Sequence, residues 1–151
     1  MNKPSVLVSA CLLGVNCRYD GTSNMNQGVL DYLHKNKLQP IPVCPEQLAG
    51  LSTPRPKVWF TQGDGQTYLQ QKAILINEDG VDSGADFFRG AEEALRIARI
   101  CRCEKAILKQ RSPSCGSRQI YLNNELVNGN GMACALLLQA GLEVTCEEHL
   151  N

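Results

Sequence analysis

The chain has 151 residues, enough for one domain whose core forms without disulfides or a structural metal. Acidic and basic residues balance at 15 each, without charged tails or runs, which argues against a nucleic-acid binder that works by neutralising phosphates. No apolar run reaches the roughly 18 residues of a membrane span. We therefore expect a single domain over residues 1–151 with no nucleic-acid or membrane partner, and the composition carries no signal for an oligomeric state.

The first half of the chain predicts two short strands separated by a helix. The segment Ser5–Cys11 is β-branched and apolar on both faces, as expected of a strand buried between helices. Apolar residues follow at helical spacing in residues 25–33, and Pro40–Cys44 predicts a second strand. In residues 45–79 prolines and glycines interrupt the pattern, which indicates a hairpin-like excursion around Gly63.

The second half predicts a long helix, a strand, a buried helix and a last strand. The long helix starts near Ser83, where Ser83 and Asp86 resemble a capping box, and it carries an apolar stripe on one face. Lys105–Gln110 predicts the next strand. A glycine-rich stretch, Asn128–Gly131, leads into the apolar helix MACALLLQA, and Leu142–Cys146 predicts the final strand.

Repeated strand–helix–strand alternation predicts a parallel sheet with helices on both faces. We therefore expect an α/β, Rossmann-like three-layer fold with a short, mostly parallel sheet and the hairpin-like excursion. In such sheets the crossovers are right-handed, and ligands bind beyond the carboxyl ends of the strands.

Eight cysteines would suggest a disulfide framework in a secreted chain, so the N-terminus decides how they are interpreted. The sequence Val8–Cys11 resembles a lipoprotein cleavage site, with Lys3 as a basic start. However, only Pro4–Val8 could form the apolar region, and such regions need about 7–15 residues. We therefore expect a cytoplasmic protein with reduced cysteines, which favours metal-binding or catalytic roles for them.

Three cysteines lie at the ends of predicted strands or in the loop directly after one. Cys11 ends the first strand, Cys44 ends the second, and Cys115 lies in the loop after the third. Because the carboxyl ends of parallel strands meet at one edge of a sheet, we expect these residues to share a site there. Pro113 and Gly116 bracket Cys115, so backbone N–H groups could point at an anion bound beside its sulfur.

Three thiolates in one pocket repel each other, so a shared cation is expected to bind them. Zinc would need a fourth ligand, and Cys17 is a candidate, although its position before a turn also suits a structural loop residue. An iron–sulfur cluster is the other soft-metal option, and three cysteines would leave one iron of a [4Fe-4S] cluster without a protein ligand. The dispersed spacing leaves both options open.

The remaining cysteines fit the ordinary role of small buried hydrophobes. They are Cys101, Cys103, Cys134 and Cys146. The two histidines, His34 and His149, are poorly placed to bind zinc or to activate a cysteine nucleophile, which disfavours a cysteine-dependent hydrolase.

Five segments resemble, in order, the 2-thiouracil desulfurases, a family once defined only as a domain of unknown function. The segments are SACLLGVNCRYDG, PVCPEQLAGLSTPR, FFRGAEEALRIA, AILKQRSPSCGS and GNGMACALLLQAGLEV. The resemblance implies a [4Fe-4S] cluster held by Cys11, Cys44 and Cys115. It also implies that the open iron takes the sulfur of a thiolated base without net redox chemistry, leaving uracil and hydrosulfide.

This chemistry gives candidate roles to several polar residues. Glu46 is the candidate general base or proton shuttle, although a glutamate at a helix start also stabilises the helix. Ser112 and Ser114 are candidates to hydrogen-bond the base or an intermediate, although serines around a proline often cap turns. The N–H groups of Gly129–Gly131 open the last predicted helix and could bind an anion at the same edge.

The sequence thus predicts an iron–sulfur-dependent desulfurase of small thiolated bases. The alternative is a zinc- or cluster-stabilised module that binds a partner without catalysis. Purification in air is expected to remove the cluster or leave zinc in its place.

Overall fold

The computed structural model describes residues 3–150, which form eight strands and five α-helices. The strands are Ser5–Ser9 (β1), Gln39–Val43 (β2), Val58–Gln62 (β3), Ile74–Asn77 (β4), Lys105–Leu108 (β5), Gln119–Leu122 (β6), Glu125–Asn128 (β7) and Glu143–Cys146 (β8). The helices are Gln27–Lys35 (α1), Pro45–Leu48 (α2), Gly65–Tyr68 (α3), Gly84–Ile100 (α4) and Met132–Gln139 (α5). None of the helices within these residues is both long and apolar enough to cross a membrane.

The central sheet is parallel throughout, with the strand order β2–β1–β5–β8. Parallel neighbours cannot be joined by a tight hairpin and need a crossover. Helix α1 lies between β1 and β2 along the chain, α4 precedes β5, and α5 lies between β5 and β8. The predicted α/β fold with a short parallel sheet is confirmed.

Helices cover both faces of the central sheet because β1 is apolar on both of its sides. Val6 and Val8 are buried in a cluster with α1 on one face. Leu7 belongs to the main core, which continues into α4 and α5 on the opposite face. This division follows from the two-residue period of a strand, in which successive side chains point to opposite faces.

A second sheet, with strand order β4–β3–β6–β7, packs on the main core. Its antiparallel strands β3 and β4 are joined through α3 and form the predicted excursion. The sequence does not predict the β6–β7 hairpin, because its four-residue strands are too short and too exposed to show a hydrophobic period. Phe60 of β3 and Ile120 of β6 are fully buried and attach this sheet to the core.

The predicted capping box at the start of α4 is wrong. Ser83 makes no side-chain hydrogen bond to the helix. The Asp82 carboxylate accepts from the Gly84 N–H at 2.8 Å instead, and Asp86 bonds to Arg89 at 2.7 Å. An acidic residue one position earlier therefore supplies the acceptor that the sequence pattern assigned to Ser83.

The close packing of α4 on α2 gives a test of how the fold positions the site. Gly90 of α4 faces Pro45, and an added Cβ would overlap the Pro45 carbonyl and lie 3.3 Å from the Ala49 Cβ. We expect Gly90→Ala to lower the free energy of unfolding by about 1–3 kcal/mol despite the better helix propensity of alanine.

Urea unfolding measures this change, with Gly28→Ala in the exposed part of α1 as the matched control. There an added Cβ would meet only the Asn26 side chain, so the free energy of unfolding should change by less than about 1 kcal/mol. Equal effects of the two substitutions would contradict the packing argument.

Candidate active site

A cavity of about 600 Å³ lies at the carboxyl edge of the central sheet. The segments that follow β1, β2 and β5 line it, so the parallel topology brings them to one place as expected. The second sheet contributes Trp59 of β3, Tyr121 of β6 and the turn residues Asn123 and Asn124. The cavity is therefore lined by both sheets.

The lining of the cavity includes the predicted residues Cys11, Cys44, Glu46, Ser112 and Cys115. Cys11 lies in a 3₁₀ turn, Ala10–Leu13, that begins directly after β1, and not in the strand itself. Cys44 directly follows β2 and caps α2, and Cys115 lies in the loop after β5. Ser114 is fully buried and reaches the cavity only through its neighbours.

Cys17 is a fourth cysteine of this cavity, and its burial exceeds that of Cys11 and Cys44. The Cys17 thiol beside them lowers the pKa of Cys11 and of Cys44, and the same two neighbours raise the pKa of Cys17, because a thiol that stabilises adjacent thiolates must keep its own proton. The Cys44 thiol also lies 3.6 Å from the Cys17 carbonyl oxygen.

Cys115 lies in a more apolar setting than these three thiols. It is 4 % exposed, and burial followed by the charge of Glu46 raises the pKa of its thiol. The hydroxyl of Ser114 lies 3.6 Å from its sulfur. A cation in the cavity would stabilise the charged thiolate form of Cys115, which burial alone destabilises.

The cysteines of the cavity are soft ligands of the kind that iron–sulfur clusters use. Among residues 3–150, no three His, Cys, Asp or Glu side chains converge closely enough to hold one metal ion. In an iron–sulfur cluster each thiolate binds its own iron, so the sulfurs stay several ångström apart. Cys11, Cys44 and Cys115 share one cavity, and three thiolates are a donor set that fits such a cluster.

Glu46 connects α2 to the loop after β5. Its Oε1 accepts a 2.7 Å hydrogen bond from the Ser114 hydroxyl, and the Ser112 and Ser114 hydroxyl oxygens are 3.1 Å apart. Its Oε2 lies 3.7 Å from Nη2 of Arg55. The carboxylate side chain is 13 % exposed, so it is held by protein partners on both oxygens while still lining the cavity.

Gln110 shapes the loop that carries Ser112, Ser114 and Cys115. Its Oε1 accepts hydrogen bonds from four backbone N–H groups at 3.0–3.3 Å. Its Nε2 donates to Cys146 Sγ at 3.2 Å. The sequence does not reveal this role, because a polar residue after an apolar strand ordinarily marks an exposed loop.

The N–H groups expected to bind an anion have protein acceptors. Gly129 donates to Arg118, Asn130 donates to the Asp64 carboxylate, and Gly131 donates to Gly116 at 2.7 Å.

The first N–H groups of α5 hold the loop that carries Cys115. Met132 donates to the Pro113 carbonyl, and Ala133 donates to the Ser114 carbonyl. The N–H of Cys115 itself donates to the Ser112 hydroxyl. The predicted anion sites are therefore wrong, because these donors are used to fix the loop in place.

The cysteines expected to fill the core behave as predicted with one exception. Cys103 and Cys134 are buried in the main core, and Cys101 packs at its edge. Cys146 is fully buried but polar in its contacts, since Gln110 bonds its sulfur and His149 Nδ1 lies 2.9 Å away.

Comparisons with known proteins identify a family and two similar chains. The model of the 2-thiouracil desulfurase family matches residues 6–149. A Bacillus subtilis (strain 168) relative, the uncharacterized protein YbbK, is 36% identical over 149 residues, which cover 97% of each chain. A solved structure, the [4Fe-4S]-dependent thiouracil desulfidase TudS, is similar with a TM-score of 0.83 and 38% identity, covering 98% of this chain and 93% of that one.

Replacing Gln110 tests whether it fixes the loop. Gln110→Leu keeps the side chain's size but leaves four partly buried backbone N–H groups without their acceptor, so we expect the free energy of unfolding to fall by about 2–4 kcal/mol. Urea unfolding gives the value. Gln139→Leu, which makes the same chemical change at an exposed position of α5, should alter it by less than about 0.5 kcal/mol. A loss no larger than that of the control would show that the loop holds its shape without Gln110.

Proposed function

Because the chain belongs to the 2-thiouracil desulfurase family, we propose that it converts a thiolated nucleobase such as 2-thiouracil to the oxo base and hydrosulfide. The observation that carries this proposal is the convergence of Cys11, Cys44, Cys115 and Glu46 on one cavity. The reaction is a substitution at carbon. One C=S bond is exchanged for C=O, water supplies the oxygen, and no electrons are gained or lost.

We propose that Cys11, Cys44 and Cys115 hold a [4Fe-4S] cluster. Thiolates are the ligands that such clusters use, and three of them leave one iron without a protein ligand. The solved relative TudS, which is described as [4Fe-4S]-dependent, supports this assignment. When bound, the cluster supplies a thiophilic Lewis acid for the substrate's sulfur.

Glu46 takes the proton of the attacking water in this proposal. Its carboxylate lines the cavity, and a general base must come within hydrogen-bond reach of the proton that it removes. The Ser114 hydroxyl occupies one lone pair of Oε1, so the carboxylate keeps a fixed orientation with its other lone pairs available.

The two serines have different roles. Ser114 is fully buried and donates to Glu46, so it positions the carboxylate without reaching the substrate. Ser112 lines the cavity and lies 3.1 Å from the Ser114 oxygen. Ser112 is therefore the serine that can hydrogen-bond the base. In this proposal Glu46 returns the proton that it took from water to the departing sulfur, which restores the carboxylate and releases hydrosulfide.

The substrate in this proposal is a small free base, and the location is the cytoplasm. All eight cysteines, which lie within the described residues, are free thiols, which suits a reducing compartment. An anaerobic assay against a panel of thiopyrimidines, with hydrosulfide release as the readout, tests the function directly. Cluster-loaded protein that releases no hydrosulfide from any of them would refute it.

Replacing the ligands tests the cluster assignment. Cys11→Ser, Cys44→Ser and Cys115→Ser should each lose most of the iron, because two remaining cysteines leave two irons without a protein ligand. Cys101→Ser, at the edge of the core, should keep wild-type iron content. Iron and acid-labile sulfide are measured after anaerobic reconstitution. Iron retained in Cys44→Ser and lost in Cys17→Ser would show that Cys17 replaces Cys44 in the ligand set.

Replacing Glu46 by glutamine tests the general base. Glu46→Gln keeps the shape of the side chain and can still accept the hydrogen bond from Ser114, but it cannot take a proton at neutral pH. We expect this variant to retain its iron and to release hydrosulfide at least about a hundredfold more slowly. Iron content and hydrosulfide are measured on the same anaerobic sample. Turnover near that of the wild type would remove Glu46 from the mechanism.

A further inference from the structure

Arg55 is a buried arginine at the border of the cavity, with a side chain that is 6 % exposed. Its backbone N–H donates to the Tyr19 carbonyl at 2.8 Å. Its Nη1 donates to Thr53 Oγ1 at 3.1 Å and to the Ser52 carbonyl at 3.3 Å. These contacts fix the backbone and one guanidinium nitrogen, and they leave Nη2 for the site.

Nη2 of Arg55 contacts two parts of the site. It donates to the Cys17 carbonyl at 2.8 Å and lies 3.7 Å from Oε2 of Glu46. The other oxygen of Glu46 accepts from Ser114 at 2.7 Å. Because different partners hold the two oxygens, rotation of the carboxylate about its last bond is restricted.

Glu46 needs a cationic partner, since a mostly buried carboxylate is costly unless it is paired. Three other cations of the cavity lining have acidic partners of their own: Arg18 with Asp20, Lys109 with Glu147, and Arg111 with Glu148. Within residues 3–150, Arg55 is the cation in ion-pair contact with Glu46. Arg55 therefore contacts both the Glu46 carboxylate and the loop that carries Cys17.

We propose that Arg55 is a positioning residue for desulfuration, which fixes the Glu46 carboxylate toward the reacting carbon. This inference rests on the proposed function, because it assigns Arg55 a role through the general base. A small misorientation of the general base lowers the catalytic rate, even when substrate binding is unaffected. Removing Arg55 should therefore lower kcat and leave KM nearly unchanged.

A double-mutant cycle on the cluster-loaded enzyme separates this role from a structural one. Its members are the wild type, Arg55→Met, Glu46→Gln and the double variant. We expect Arg55→Met to lower kcat for 2-thiouracil about tenfold in the wild type and less than about twofold in the Glu46→Gln background. A residue that only holds the fold would slow both backgrounds by the same factor, and that result would overturn the proposal.

Thermal unfolding of the same four proteins gives a readout that does not depend on turnover. Arg55→Met leaves the Glu46 carboxylate buried without its cation, so we expect it to lower Tm by about 5 °C more in the wild type than in the Glu46→Gln background. Additive Tm changes would show that the two side chains are not coupled. If the wild type releases no hydrosulfide, the proposed function fails, and the unfolding cycle still decides whether Arg55 holds Glu46.

If Arg55→Met does not retain iron, Arg55→Lys replaces it in the double-mutant cycle. It preserves the positive charge next to Glu46 and removes the guanidinium plane, and the same comparison of the two backgrounds applies. Loss of iron from both Arg55 variants, with Glu46 present and with glutamine in its place, would assign Arg55 to the fold and overturn the proposal.

Discussion

The cavity depends on hydrogen bonds that hold the loop between β5 and β6. This loop has no regular structure of its own, so its backbone groups need partners from its own side chains and from neighbouring elements. The buried Gln110 carbonyl oxygen accepts from three N–H groups of the loop and from that of Gln119, and the start of α5 donates to the Pro113 and Ser114 carbonyls. Because Gln110 is buried and α5 belongs to the main core, these bonds set the position of Cys115 on the cavity lining.

The sequence predicted that Cys11, Cys44 and Cys115 lie at one edge of the sheet, because parallel topology is a long-range rule that a simple pattern reveals. Once strands alternate with helices, the carboxyl ends must lie at one edge, whatever the side chains do there. The family resemblance is confirmed by the match over residues 6–149. The strand limits shifted by one or two residues, which places Cys11 in a 3₁₀ turn and not in β1.

Side-chain partners at the site could not be predicted in the same way. Arg55 and Gln110 have their decisive contacts with residues distant in the chain or with several backbone groups at once, and neither leaves a periodic signal. At the glycine-rich start of α5, in contrast, the sequence predicted a binding site that the structure does not have. Its N–H groups looked available for an anion, yet a protein carbonyl can satisfy a helix start as well as a ligand can.

Polar contacts within the protein connect the three cysteine-bearing segments to each other. Glu46, two residues after Cys44, bonds to Ser114, the neighbour of Cys115 in the loop. Arg55 joins the same carboxylate to the carbonyl of Cys17, which lies in the segment after Cys11. The segments are thus held together by groups other than the thiols of Cys11, Cys44 and Cys115. Such support is what a site needs if its geometry is to be set before the cofactor and substrate arrive.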